Sequence, residues 1–294
     1  MKIGIDSYCY HRYFGEVYPE IQRKPRRKLT IWRFLDRAHE LGVGGVSIES
    51  CFLEPISDDL VSRLKERLNA YQLEAVWAWG HPAGLKSGTD RAALQDLLRH
   101  IPIAKELGAG VMRIVGGSRF TRPPRWSRHR RLLLRALDKA VPVAEEYNVV
   151  LAMENHIDLT ADQMVEIMET IDSPWLGVCF DTANNIRMFE DPLVVAEKLA
   201  PWTRATHVKD VKPWRGDPKQ FSFWASVPLG DGIIPLPEIV RLLRKAKYHG
   251  LLAIEVDFLH PDYSDEDEAV ARSVDYLRQL VKTKRGRRPL GQMQ

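Results

Sequence analysis

The chain has 294 residues, 45% hydrophobic and 28% charged, with a formal net charge of +4. That composition is that of a globular chain in water, long enough for two small domains or one barrel. No run of about 18 apolar residues occurs, which excludes a membrane-spanning helix.

The first ten residues, MKIGIDSYCY, lack the apolar stretch of a signal peptide and read as a strand over 2–8. A helix pattern over 32–42 ends on Gly42, and a strand follows over 45–50. The next helix, 57–71, opens on Ser57 and two acids, as a helix N-terminus prefers, and leads to a strand over 73–79. Helix 94–108, strand 110–116 and helix 131–147 come next; Pro102 and Pro142 predict a kink or break in the two helices. Strand 149–155 precedes a helix over 160–171 capped by Thr160. Strand 177–182, helix 192–200, strand 205–210, helix 236–250, strand 251–257 and helix 265–281 complete the series. Residues 282–294 hold Lys282, Lys284, Arg285, Arg287 and Arg288 and no acid, and read as a disordered, solvated tail. The tail accounts for the positive charge, so the body is near neutral. Cys9, Cys51 and Cys179 are too few and too scattered for a disulfide framework or zinc finger; the expectation is buried reduced thiols in a cytoplasmic protein.

Eight strand patterns alternating with helix patterns, without a break in composition, predict one α/β unit over 1–281, a (β/α)8 TIM barrel. A doubly wound sheet is the rival, but its glycine-rich phosphate signature after the first strand is absent. Two connections are long, 9–30 and 211–235. The second carries Trp214, Phe221, Phe223 and Trp224, which favour an ordered lid or a subunit contact.

Four ligand-type residues each close their own apolar run: Glu154 in VVLAMEN, Asp181 in LGVCFDTAN, His207 in RATHVKD and Glu255 in LLAIEVD. Their intervals of 27, 26 and 48 residues match one strand-helix unit, another, and a unit with a long insertion. Singly, each has a plain alternative as a surface acid, a helix cap or a core histidine. On neighbouring barrel strands all four converge at the C-terminal mouth, where active sites of this fold lie. Three carboxylates and an imidazole suit a divalent cation, Mn²⁺, Mg²⁺ or Co²⁺, better than a structural zinc. The cation also offsets the mutual repulsion of the acids.

The segments MENH, FDTAN, HVKD, VPLGDGIIP and AIEVD together resemble the sugar-phosphate isomerase/epimerase superfamily, the xylose-isomerase-like TIM barrels, over about residues 1–281. The resemblance implies that Glu154, Asp181, His207 and Glu255 form the metal set, with Mn²⁺ the foremost ion. It also implies that Glu154 and Glu255 are catalytic. One removes a proton from the carbon beside a carbonyl and the other returns it, through an enediolate. A metal-bound carboxylate is a weak base, but polarisation of the substrate lowers the acidity barrier enough for it to act.

Further residues are candidates for holding substrate. His81 in WAWGHP is placed to reach a sugar hydroxyl, and Trp77 and Trp79 offer a stacking wall, with core packing as the alternative. His156 lies two residues beyond Glu154 on the same side. Lys209, two beyond His207, stabilises an oxyanion or pairs with an acid of the site. Arg113 points into the mouth and needs a carboxylate partner, for which Glu49 and Asp6 are candidates. Asn184 stands where related epimerases often carry a histidine, three residues after the metal-binding aspartate. Their arginine shortly after the metal-binding histidine has no near counterpart, Arg215 being eight positions on. The endonuclease branch of the same barrel needs extra histidine ligands, one at the position of Asn184, which argues against nucleic acid as a partner. Arginine-rich stretches at 23–28 and 118–131 suit either phosphosugar recognition or a solvated rim or subunit contact.

The resulting expectation is a metal-dependent isomerase or epimerase of a ketose or related polyhydroxy carbonyl compound. The alternative is a lyase with the same metal site, a 3-oxo-glycoside or C-glycoside deglycosidase or a keto-inositol dehydratase. Less favoured are a non-catalytic metal-stabilised binding protein and an abasic-site endonuclease. A homo-oligomer or a small partner subunit is compatible with either enzyme.

Overall fold

Short β-rich segments separated by capped amphipathic helices can bury both their faces only if the sheet closes and the helices surround it. In the computed structural model, which describes residues 1–53 and 55–282, that is the arrangement. The strands are β1 (Lys2–Asp6), β2 (Gly45–Glu49), β3 (Glu74–Trp79), β4 (Val111–Val115), β5 (Val150–Glu154), β6 (Leu176–Asp181), β7 (Thr203–Val208), β8 (Asp210–Pro213), β9 (Trp224–Val227) and β10 (Leu251–Ile254). Strands β1 to β7 and β10 form a closed parallel barrel in that order. Closure is made by β1 on β10, with Lys2 opposite Leu251 and Ile5 opposite Ile254. This is a (β/α)8 TIM barrel.

Inside the barrel, Val76, Ala152, Cys179, Ala205 and Leu251 pack together, a small-residue layer that a narrow barrel can hold. Their neighbours in sequence, such as Trp77, Met153, Val178 and Phe180, join the much larger core between barrel and helices. Gly45 belongs to the tight end of the barrel: a Cβ there would sit 2.5 Å from the Glu74 carbonyl oxygen and 2.6 Å from Leu251.

The helices start where their caps predict. Thr30, Ser57, Asp90, Thr160 and Asp191 each accept a backbone N–H of the following first turn, and Thr160 with Gln163 makes a reciprocal capping box. The helices Arg91–Leu107 and Trp126–Tyr147 run unbroken through Pro102 and Pro142, contrary to the expected break. One lost hydrogen bond in a long helix is outweighed by the face each buries on the barrel.

The connection 211–235 is more regular than expected. It contains the antiparallel pair β8–β9, with Asp210 opposite Val227 and Pro213 opposite Trp224. Cys9 and Cys179 are buried free thiols, whereas Cys51, two residues past the β2 end in the short 3-10 turn Ser50–Phe52, is exposed. Lys282 ends the last helix, Glu266–Lys282, and the tail expected beyond it lies outside the described residues. Among the described residues, no helix is long and apolar enough to cross a membrane.

Candidate metal centre

Side chains alternate along a strand, so residues two apart share a face. Glu154 is two beyond Ala152, Asp181 two beyond Cys179, and His207 two beyond Ala205, so each inherits the inward direction of the inner layer. Glu255 follows β10 directly. The four side chains are buried, and one ligand atom from each lies within 4.8 Å of all the others. Nδ1 of His207 is 2.6 Å from Glu255 Oε2 and 3.5 Å from Glu154 Oε1. Yet Asp181 Oδ2, Glu255 Oε2 and both ring nitrogens of His207 are buried without a hydrogen bond of acceptable geometry. Ligand atoms that approach one another closely without hydrogen bonding, two of them on carboxylates, fit a shared divalent cation.

The surrounding contacts hold these ligands in place. Asp181 Oδ1 accepts the backbone N–H groups of Ala183 and Asn184, both at 2.8 Å, which leaves Oδ2 to face the site. Asn155 ties β5 to β6: its Nδ2 donates to the Asp181 carbonyl at 2.9 Å and its Oδ1 accepts the Asp181 N–H at 2.7 Å. Nε2 of His207 faces Asp6 Oδ2 at 3.3 Å, the carboxylate–histidine pairing that orients a metal-binding imidazole. Lys209 places its ammonium 3.0 Å from Asp181, 3.2 Å from Glu255 and 2.9 Å from Asp257.

The electrostatics separate the two glutamates. Burial alone raises the Glu154 carboxyl, but the charges of His207 and Arg113 outweigh it and hold the group well below the ordinary carboxylate range. Burial pushes the Glu255 carboxyl up to about 8, with Asp257 adding to the rise and His207 and Lys209 opposing it.

His81, Arg113, His156, Asn184 and Lys209 line one cavity of about 420 Å³ together with Glu154 and Glu255. His81 Nε2 meets Glu16 Oε1 at 2.7 Å, and this bond raises the imidazole above its usual range against the effect of burial. His156 Nδ1 lies 3.0 Å from the Gly117 carbonyl, and Asn184 Nδ2 donates to Glu154 Oε1 at 3.1 Å. Arg113 sits in the floor: it pairs closely with Glu49, reaches Glu154 Oε2 at 3.2 Å and donates to the Trp79 carbonyl at 3.1 Å. Glu49 is thus the expected partner of Arg113, while Asp6 turns to His207.

Trp79 does not join this cavity, and the stacking wall does not form. Trp77 and Trp79 share the outward face of β3. Their indole N–H groups donate to His100 Nδ1 at 3.1 Å and to Asp96 Oδ2 at 2.8 Å, both on the helix Arg91–Leu107. Arg215 lies over the ring of Trp214 and is not part of the cavity wall. The lining residues without a role in the sequence reading include Asp257, Tyr8, Tyr18 and Arg187. Asp257 was within reach, since it is two beyond Glu255 in AIEVD. Tyr18 arrives from the irregular connection after β1, where no periodicity signals direction, and Tyr8 from the short 3-10 turn Ser7–Tyr10, since the strand expected over 2–8 ends at Asp6.

The comparisons with known proteins agree with this architecture. A 3-oxo-isoapionate decarboxylase of Pectobacterium atrosepticum is 24% identical over 245 residues, covering 83% of this chain and 81% of that protein. An inosose dehydratase of Mesomycoplasma hyopneumoniae is 25% identical over 265 residues, covering 82% and 86%. The crystal structure of D-psicose 3-epimerase with D-tagatose from Clostridium cellulolyticum H10 superposes with a TM-score of 0.74 at 16% identity, covering 96% of this chain and all of that one. The clustered ligands in this catalytic fold support an enzymatic, metal-dependent role. Residues 35–280 match the family model described as the xylose isomerase-like TIM barrel, and the chain belongs to that family.

Proposed function

We propose that the chain is an isomerase or epimerase of a ketose or related polyhydroxy carbonyl compound, working through an enediolate with Glu154 and Glu255 as the two proton carriers. The observation that carries this reading is that two buried glutamates line one cavity and belong to one cluster of four ligand-type residues with Asp181 and His207. A divalent cation held by Glu154, Asp181, His207 and Glu255, Mn²⁺ foremost with Mg²⁺ or Co²⁺ as alternatives, supplies Lewis-acid polarisation when bound. Glu154, kept as a carboxylate, takes the proton from the carbon beside the carbonyl. Glu255, reprotonated from solvent, gives a proton back, and the face it serves decides between isomer and epimer. Lys209 places a positive charge beside Asp181 and Glu255, where an enediolate oxygen needs one. His81, His156 and Asn184 orient hydroxyl groups, with Asn184 standing in for the histidine of related epimerases. Trp79, being outside the cavity, has no part in this.

A lyase outcome is the second reading, in which the same enediolate expels a group from the next carbon. It is supported by Phe120, 85% exposed at the cavity rim and able to stack on a leaving aglycone. The names of the two relatives, a decarboxylase of a 3-oxo acid and a dehydratase of an inosose, support it as well.

The test is proton exchange in D₂O with a panel of ketoses, an inosose and a 3-oxo-glycoside, using chelator-stripped and Mn²⁺-reloaded protein. Metal-dependent deuterium uptake is expected, with epimer or eliminated product identifying the outcome. Glu154→Gln and Glu255→Gln should each lower the rate by about 10²–10⁴-fold. Unchanged turnover after chelation, or in the double variant, would refute the assignment.

A further inference from the structure

Beside the reaction cavity lies a second one of about 530 Å³, and Ile157 and Arg187 line both. Its charged lining residues are Arg119, Arg122, Arg187 and Lys219, with Thr160 and Gln163 as polar neighbours and no aspartate or glutamate among the described lining residues. Three separate connections deliver these cations: the one after β4, the one after β6, and the β8–β9 hairpin. Two are fixed by neutral groups. The Arg119 guanidinium donates to the Lys219 carbonyl, and Arg122 Nη1 donates to the Asp158 carbonyl at 3.4 Å. A carbonyl orients a guanidinium without cancelling its charge. Arg187 stands at the boundary, with Nη2 3.4 Å from Asp257 Oδ2.

The two cavities therefore differ in charge. The reaction cavity is lined by Glu154, Glu255 and Asp257 together with Arg113, Arg187 and Lys209, whereas the charged residues lining the adjoining cavity are arginine and lysine alone. Like charges held together repel unless a counter-charge joins them, and the guanidinium fork matches a carboxylate or phosphate.

We propose that this second cavity is an anion subsite, which takes a carboxylate or phosphate group on the part of the substrate remote from the reacting carbon. The proposal rests on the ketose reading above and narrows it to an acidic substrate. The difference in charge also sets direction, because an anionic end is drawn to the cavity whose charged lining residues are all cationic. The carbonyl end is thereby presented to Glu154 and Glu255.

Calorimetric titration of the Mn²⁺-loaded protein with D-fructose, D-fructose 6-phosphate, D-fructuronate and inorganic phosphate tests the subsite. One or both anionic ketoses should bind at least about tenfold tighter than D-fructose. The preference should shrink at high salt and disappear in Arg119→Gln/Arg122→Gln, while D-fructose binding and the melting temperature stay unchanged. Lys219→Gln, which leaves both guanidinium groups in place, should lower the preference part-way. A stronger response to the phosphate identifies a phosphosugar, and a stronger response to the uronate a sugar acid. Equal binding of neutral and anionic ketoses, or a preference that survives the double variant, overturns the proposal. If inorganic phosphate binds the wild type and not the double variant while no ketose binds or reacts, the subsite stands and the ketose reading falls.

Discussion

A single carboxylate explains how His207 is aimed. Its Nδ1 faces the ligand cluster because Nε2 is turned to Asp6, whose other oxygen accepts the Tyr8 N–H at 2.6 Å. Asp6→Asn keeps that backbone bond and removes the charge behind the imidazole. Mn²⁺ affinity should fall by about 10–100-fold in direct titration, and an unchanged affinity would show that Asp6 is only a packing residue. A second buried carboxylate, Asp158, belongs to no catalytic role. Burial pushes its carboxyl up to about 8, and its neighbour His129, 3.8 Å away, is lowered to about 4 chiefly by burial. Between the ordinary Asp value and 8 the folded state holds a proton on Asp158 that the unfolded chain has lost, so stability falls as pH rises. His129 works in the opposite sense, but only between about 4 and its ordinary value near 6.5. From pH 6.5 to 8 Asp158 contributes up to about 1.4 kcal/mol per pH unit to the fall in stability, beside the contribution of Glu255. Asp158→Asn should make that slope shallower in denaturant unfolding measured at pH 6.5, 7.2 and 8, and an identical slope in variant and wild type would contradict the assignment. The ligands themselves were legible because parity carries them inward from Ala152, Cys179 and Ala205. The same parity, counted from the outward Trp77, places Trp79 outside. Strand alternation turns both tryptophans toward the helix Arg91–Leu107, which leaves no sugar wall in the mouth.

The insertion between β7 and the helix Leu236–Lys245 shows how one side chain can order a whole connection. Asp210 accepts the N–H groups of Gly230 and Gly232 on Oδ2, both at 2.9 Å, and those of Val211 and Ile234 on Oδ1, both at 3.0 Å. A Cβ on Gly232 would lie 2.1 Å from Asp210 Oδ1, so the glycine is required by close approach. This is the physical content of VPLGDGIIP, a segment that in the sequence signalled only resemblance. The β8–β9 hairpin itself was hidden, because PWRGDPKQFSF has turn residues throughout and no alternation of apolar and polar positions. Strands β1 to β7 were legible because their apolar runs are bounded by helix caps, as at Thr30, Ser57 and Thr160. Asp210→Ala leaves four backbone donors without their acceptor and should cost about 2–3 kcal/mol in urea unfolding. Amide exchange over 228–236 should accelerate while that of the barrel strands does not. Uniform acceleration would mean that Asp210 supports the barrel rather than the loop.

Barrel closure and metal binding are coupled, because the four ligands come from β5, β6, β7 and the end of β10, adjacent staves that include one of the two closing strands. Without a cation, the protein must keep three carboxylates and an imidazole together in a buried mouth. Part of that cost is met by the proton that Glu255 retains up to about pH 8. Because its folded pKa is raised above the ordinary Glu value, this proton stabilises the metal-free fold at low pH. The contribution is lost as pH climbs through 8. A cation competes for the same carboxylate and binds only after the proton has left. The metal-free form should therefore lose stability from pH 6 to 8, while the gain from Mn²⁺ grows over the same interval and levels off above it. At a free concentration 100 times the dissociation constant the gain is about 2.7 kcal/mol, several degrees in melting temperature for a chain of this size. Scanning calorimetry with and without Mn²⁺ at pH 6, 7 and 8 measures both trends, and a chelator should reverse the shift. Asp181→Ala should erase the Mn²⁺ increment at every pH, since it removes a ligand without touching the Glu255 proton. A melting temperature indifferent to Mn²⁺ in the wild type would show that the four ligands form a charge network complete in itself, and the metal assignment would fall with it.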